Sequence, residues 1–415
     1  MKAITTGLER SSGARVILVV ESPLSERDAE RFGVRTMENA GLHVEVWEVS
    51  PITLPSTELQ EVSRPSNVRV SRFANLALLQ GKCSGLRKGD LVIFLFGIYK
   101  GEFTRCRAVL QAFSASPAVL GGVIGRSAWT DLELTREYFR EWPRLVFIFL
   151  RTRIWFASAI IKTGRLGLGQ PGVRALTRRR YRQRPLDFVW AATSVRPLES
   201  WLLGRQTVTR LIHTFDFDSV RTQTNDLPIA LGRVLYVDGM GPLHPDTGSL
   251  ELDIIQRPAS DYFGQLCGAF DWIEKMTGND VVIAAHPRAR PGQLEEAYGN
   301  RKVVYGSTAA AMQVCKFVMF SHPSDSVSYV VALRKPALAL SCSGDLRYEK
   351  QRISQLARVL SLRILETDKL PRRFVQPSVD DRAYDRFFRK HVKVPGSAIG
   401  SFWEVVAEDA KGLRR

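Results

Sequence analysis

What this sequence lacks narrows it first. Of 415 residues only 5 are cysteine, an odd number spread from Cys83 to Cys342, with no Cys-x-x-Cys pair and no Cys/His ligand spacing. A disulfide scaffold and a structural zinc site are therefore excluded, and a reducing, cytoplasmic setting is expected. Met1–Gly13 is polar, so no secretory leader is expected. No uninterrupted apolar run reaches the roughly 20 residues that a membrane span needs. There is no Gly-x-x-x-x-Gly-Lys-Ser/Thr loop, no Gly-x-Gly-x-x-Gly directly after a strand and no Gly-x-Ser-x-Gly elbow. ATPases, dinucleotide enzymes and α/β-hydrolases are poor fits for that reason. Internal repeats and low-complexity tracts are absent as well.

What is present is an ordinary soluble composition, 45% apolar and 24% charged, in a chain long enough for two domains. The net charge of +17 calls for an anionic partner. That charge is local. Residues 142–186 hold 11 basic side chains and no acid, whereas the part from residue 229 onward has 26 basic against 21 acidic. The window is also greasy: Leu145–Leu150 and Ile154–Ile161 flank Arg151 and Arg153. On a helix, Arg144, Arg151, Lys162 and Arg165 form one stripe on an otherwise apolar surface that includes Trp155, with Arg153 opposite. An interfacial helix on an anionic membrane fits this pattern, with Arg178, Arg179 and Arg180 beside it. The alternative is a buried helix followed by a solvated basic loop. Nothing points to nucleic acid: there is no helix-turn-helix, finger or RNP-type motif.

Continuous apolar runs at Val16–Val20, Val44–Val49, Leu91–Phe96 and Val119–Ile124 read as strands buried on both faces. Glu26–Asn39, with Ser25 as N-cap, reads as one helix between the first two. A helix is expected near 72–80 and another over 103–113, and short strands at 187–192 and 210–213. From residue 229 the alternation restarts. Strands are expected at Val234–Val237, Val281–Ala285, Val303–Tyr305, Phe317–Phe320, Ala337–Leu340 and Arg363–Leu365. Helices are expected at 262–276, 293–298, 309–314, 324–333, 346–360, 380–391 and 402–410. Two such alternations imply an α/β protein of two Rossmann-like, doubly wound domains facing each other across a cleft. The expected divisions are 1–228 with the basic insertion, 229–395, and a C-terminal helix over 396–415 that packs back on the first domain.

Ligands of open α/β sheets sit outside the carboxyl ends of the strands. Four post-strand loops there carry chemistry-bearing residues: Asp238 to Asp246 with His244; His286-Pro-Arg288-Ala-Arg290; Ser307-Thr308; and Ser321-His322-Pro-Ser324-Asp-Ser326. Histidine, arginine and hydroxyl donors ahead of helix N-termini suit a phosphate, and His286 can protonate a departing phosphate oxygen. Each loop also has a plainer reading, as a strand end or a helix cap. Asp216 and Asp218 after His213 form an Asp-x-Asp pair that fits either a divalent metal on a nucleotide diphosphate or, as the plainer reading, turn or helix-capping carboxylates between the domains; with His213 and His244 they are the candidates for an acceptor-side cleft.

Val281-Val-Ile-Ala-Ala-His-Pro287 resembles the strand followed by His-Pro of bacterial GT-B glycosyltransferases that build capsules and lipopolysaccharides. Ser321 to Pro336, a serine-rich loop, a helix and a Lys-Pro, is similar to their next element. Bacterial sialyltransferases of this type pair an acidic-acidic-Gly motif with a His-Pro and a Ser/Thr pair; Val237-Asp-Gly239 keeps the second acid and the glycine. The resemblance covers residues 230–345. It implies a nucleotide-sugar donor, CMP- or UDP-linked, held by His286, Ser324 and Ser326, with Asp238 as the base on the acceptor hydroxyl. The residues alone support His286 and the serines, and for Asp238 show only a carboxylate at a strand end. A glycosyltransferase acting on a lipid-linked or growing cell-surface saccharide is the expectation, at the inner membrane, with neither cofactor nor metal. A sugar-nucleotide 2-epimerase of similar fold and a non-catalytic membrane- or polysaccharide-binding protein are the alternatives.

Overall fold

The computed structural model describes residues 14–53, 63–95, 103–124, 184–192, 203–222, 232–243, 258–287, 289–306, 308–322, 324–345 and 347–413. They form two parallel sheets. The first contains β1 (Arg15–Val20), β2 (His43–Glu48), β3 (Arg69–Arg72), β4 (Leu91–Phe94), β5 (Val119–Ile124), β6 (Leu186–Ala191) and β7 (Leu203–Leu211), in the order β3-β2-β1-β4-β5-β6-β7. The second contains β8 (Val234–Val237), β9 (Val281–Ala284), β10 (Val303–Val304), β11 (Phe317–Phe320), β12 (Ala337–Ser341) and β13 (Arg363–Glu366), in the order β10-β9-β8-β11-β12-β13. Each is a doubly wound, Rossmann-like α/β sheet whose order reverses once, between β1 and β4 and between β8 and β11.

The apolar runs split between two faces, as a parallel sheet covered on both sides requires. Val16, Leu18 and Val20 enter one core, while Ile17 and Val19 enter the other. Leu235 and Val237 likewise oppose Val234 and Tyr236. The helix Phe402–Gly412, opened by a Ser401/Glu404 capping box, buries Phe402, Trp403 and Val406 in the first domain's core. The chain therefore crosses to the second domain and returns.

Several expectations are corrected. Residues 26–39 form two helices, Glu26–Arg31 and Val34–Asn39, not one. They break at Gly33, whose φ of +60° is left-handed and whose missing Cβ makes room for Trp403. Arg69–Arg72 is an edge strand, and the helix after it starts only at Leu76. The strand near 210–213 is the nine-residue β7; its polar alternation at the sheet edge hides it from an apolar-run search. Residues 293–298 form turns, although Leu294 and Tyr298 are fully buried. The helix placed at 324–333 begins at Val327 and spans six residues. Phe215–Thr222 is helical, so of the two readings of Asp216 and Asp218 the structure bears out the plainer one, carboxylates of a first helical turn. Among the described residues no helix is long and apolar enough to cross a membrane. Residues 142–183 of the basic window, with Arg151, Trp155, Arg178, Arg179 and Arg180, lie outside the described residues; Arg184, at its end, donates to Asp187 Oδ2 (2.6 Å).

Candidate functional site

The reversal between β8 and β11 brings together the loops that follow those strands, with the loop after β9 alongside. Asp238 comes directly after β8 and is only 3% exposed. Its Oδ1 accepts the N–H of Met240 (2.8 Å), an Asx turn, and the phenol of Tyr298 (2.6 Å). Its Oδ2 accepts a longer bond from the N–H of His286 (3.4 Å). Burial raises the Asp238 carboxyl above its usual range, against the pull of Tyr298 and the two backbone N–H groups. One buried carboxylate thus fixes the paths of two loops.

Beneath the loop after β11, Ser321 is buried, and its Oγ lies 2.6 Å from the Tyr236 phenol and 3.0 Å from that of Tyr262. Burial pushes both phenols up, so they remain neutral hydrogen-bonding groups. Gly239 touches the next residue of that loop: a Cβ there would stand 3.2 Å from His322 Cβ. At Gly241, with φ +43°, a Cβ would meet Tyr262 Cε1 at 2.5 Å. Small residues after β8 therefore allow the loops after β8 and β11 to close on each other.

Of the residues singled out from sequence, Asp238, His286, Ser321 and His322 converge. His286 and His322 are half-buried. Ser324 and Ser326 are half-buried too, and their hydroxyls bond each other in the turn before Val327–Ala332. Ser321 was expected to bind donor; with its hydroxyl held by two phenols it supports the loop from below. Asp238, expected to face an acceptor, lies beneath the surface with both oxygens engaged. Thr308 opens the helix Thr308–Val314 and Arg290 is exposed; no contact links either to Asp238. Arg288, Ser307 and His244 lie outside the described residues.

The trio His213, Asp216 and Asp218 lies where the two halves of the chain meet. His213 is fully buried, with Nε2 2.8 Å from Asp218 Oδ1, and Asp218 Oδ2 accepts the N–H of Phe402 (2.6 Å). Asp216 takes a two-pronged bond from Arg31, at 3.0 and 3.1 Å. Burial pushes the Asp216 carboxyl up to about 6 against the pull of that guanidinium. Phe215 packs in the first domain's core and Phe217 against the second's. The Asp-x-Asp pair therefore belongs to the joint between the halves. Among the described residues no group of three or more His, Cys, Asp or Glu side chains is placed to hold a metal.

An open polar cavity of about 520 Å³ lies beside the end of β12, lined by Ser260, Asp261, Gly264, Gln265, Ser343 and Gly344. It shares the helix Ala259–Thr277 with Tyr262, the residue under Ser321. Sequence reasoning missed Tyr236, Tyr262, Tyr298 and Arg31. A tyrosine inside an apolar run, which must find a partner for its hydroxyl, was the available signal for the first of these; Arg31 and Asp325 are 294 residues apart and left none.

No protein-family model matches the sequence, and no curated protein matches it. Among solved structures the chain is similar to the glycosyltransferase SnogD from Streptomyces nogalater, with 11% identity and a TM-score of 0.47 over 97% of this chain and 99% of that one. It is similar to CalG4, the calicheamicin glycosyltransferase, with 11% identity and a TM-score of 0.45 over 97% and 93%. UGT89C1 of Arabidopsis thaliana complexed with UDP-L-rhamnose gives 9% identity and a TM-score of 0.44 over 97% and 99%. At these values the likeness is one of chain path, and it assigns neither a reaction nor a residue role.

Proposed function

We propose that this protein is a glycosyltransferase that moves a sugar from a nucleotide-sugar donor to a saccharide or lipid-linked acceptor of the cell surface. The observation that carries the proposal is the convergence of Asp238-Gly239, His286 and Ser321-His322 at the strand-order reversal of the second sheet, where such sheets bind ligands. In this reading His286 and the hydroxyls of Ser324 and Ser326 donate to the donor phosphates, and the exposed Arg290 adds charge. These groups, and not a metal, take up the charge on the departing phosphate. In this reading the nucleoside lies at the open polar cavity beside β12, where Ser260, Asp261, Gln265 and Ser343 offer hydrogen-bonding groups. Asp238 keeps the shape of the crevice. In this reading His322, on the facing loop, takes the acceptor's proton.

A thermal-shift screen against CMP, UDP, GDP and their sugar conjugates tests this. A bound nucleotide at a hundredfold excess over Kd stabilises the fold by about 2.7 kcal/mol. One nucleotide class is expected to do so, and His286→Ala to remove most of the effect. Absence of any shift at millimolar nucleotide would defeat the proposal. Appearance of an epimer from UDP-N-acetylglucosamine alone would replace it with an epimerase.

The basic window completes the reading with a location, the anionic inner face of a membrane. Changing Arg178, Arg179 and Arg180 together to Gln is expected to weaken binding to anionic vesicles about a hundredfold, at about 1 kcal/mol per charge. Binding that ignores both the changes and added salt would remove the membrane from the proposal.

A further inference from the structure

An ion triad joins the two halves at the edge of the site. Arg31, which ends the helix Glu26–Arg31, is held by its fork on Asp216, by the Phe215 ring 4.8 Å from its guanidinium carbon, and by a 2.7 Å bond from Trp403 Nε1 to its carbonyl. From this fixed position its Nη2 also donates to Asp325 Oδ2 at 3.2 Å, across to the second half. The Asp216 side chain is buried, whereas that of Asp325 is 42% exposed. Asp325 stands between Ser324 and Ser326, and its carbonyl accepts the N–H of Ser328 (3.0 Å). An unpaired carboxylate in a hydroxyl-bearing loop opposes any anion the loop is meant to hold. Arg31 draws that carboxylate aside and offsets its charge.

We propose that Arg31 is a positioning residue for the donor site: from the first domain it pins and neutralises Asp325, so that the Ser324 and Ser326 hydroxyls can meet an anionic phosphate. The inference rests on the reading of that loop as phosphate-binding. It makes donor affinity depend on a residue that never touches the donor and on the two halves being docked.

The test uses the full-length protein, the wild type beside Arg31→Gln, Asp325→Asn and the double variant. Binding of UDP and of CMP is measured by calorimetry, and amide exchange at Val327 and Ser328 is followed without nucleotide. Arg31→Gln is expected to weaken nucleotide binding about tenfold, and Asp325→Asn to stay within about threefold of wild type, as fits two contacting residues that couple through one charge. The double variant is expected to return to within about threefold of wild type, because the charge that Arg31 offset is gone. Exchange at Val327 and Ser328 should quicken in Arg31→Gln. A double variant as weak as Arg31→Gln would show that Arg31 only welds the domains, and would overturn the proposal. Wild-type binding that Arg31→Gln leaves unchanged would overturn it too, while leaving the transferase reading intact. Failure of the wild type to bind either nucleotide would overturn both. Should Arg31→Gln not fold, with buried Asp216 stripped of its two-pronged bond, Arg31→Lys keeps a charge there but loses the fork. It is then read in its place: a single ammonium cannot hold both carboxylates as the fork does, so a loss of about threefold is expected, removed by Asp325→Asn, and no loss, or a loss that Asp325→Asn does not remove, would overturn the proposal.

Discussion

Asp238→Ala is expected to destabilise the protein by about 3–5 kcal/mol and to abolish nucleotide binding. The substitution strands the Tyr298 phenol and the N–H groups of Met240 and His286 around a buried gap. Tyr298 and Met240 are fully buried, so their donors cannot turn to water. Denaturant unfolding reports the first effect and calorimetry with UDP or CMP the second. Asp238→Asn separates the two roles open to this residue. An amide can still accept from Met240 and Tyr298, but its NH2 group then faces the N–H of His286, and two donors cannot bond. If Asp238 shapes the crevice, Asn weakens nucleotide binding by displacing the His286 loop. If it takes the acceptor's proton, Asn leaves nucleotide binding alone and removes turnover. Unchanged binding with lost turnover would return Asp238 to the role of base.

Gly33→Ala is expected to cost about 2–5 kcal/mol and to loosen the C-terminal helix. A left-handed φ in a residue with a Cβ costs about 1–2 kcal/mol, and overpacking a filled site a further 1–3 kcal/mol. Both apply here: φ is +60°, and the new Cβ would lie 2.0 Å from Trp403 Cγ. Trp403 has little freedom to retreat, because its indole N–H is held by the Arg31 carbonyl and its ring packs against Phe402 and stacks on Phe215. Gly278→Ala is the control. Its φ is +65° and nothing lies within 4 Å of the added carbon, so only the backbone cost of about 1–2 kcal/mol remains. Equal losses for the two variants would show that Trp403 does not fill the space at Gly33. Faster proteolysis near residues 402–412 in Gly33→Ala alone would locate the loss.

The two domains were legible because parallel strands buried on both faces leave uninterrupted runs such as Val16–Val20 and Phe317–Phe320. The loops after β8, β9 and β11 were legible because a strand's end marks where a ligand is met. Asp216 and Asp218 take the plainer of their two readings, carboxylates of a first helical turn between the domains; the spacing alone could not separate that from a chelating pair, because Asp-x-Asp looks the same on a strand and in a helical turn. Gly33 misled: Ser25 caps a helix whose pattern runs on to Asn39, and nothing near it in the chain announces a tryptophan 370 residues away.

By itself, then, the sequence determined two α/β domains, the place of the basic excess and the identity of the loops that carry histidine and hydroxyl groups. These are properties of neighbours in the chain, where periodicity and charge can be read directly. The tertiary structure alone decided which polar groups face the crevice and which are consumed beneath it. Ser321 is spent on Tyr236 and Tyr262, Asp238 on Tyr298, and Asp216 on Arg31. Each partnership spans many residues, and burial enforces it, since a polar group removed from water must find its partner wherever the fold brings one.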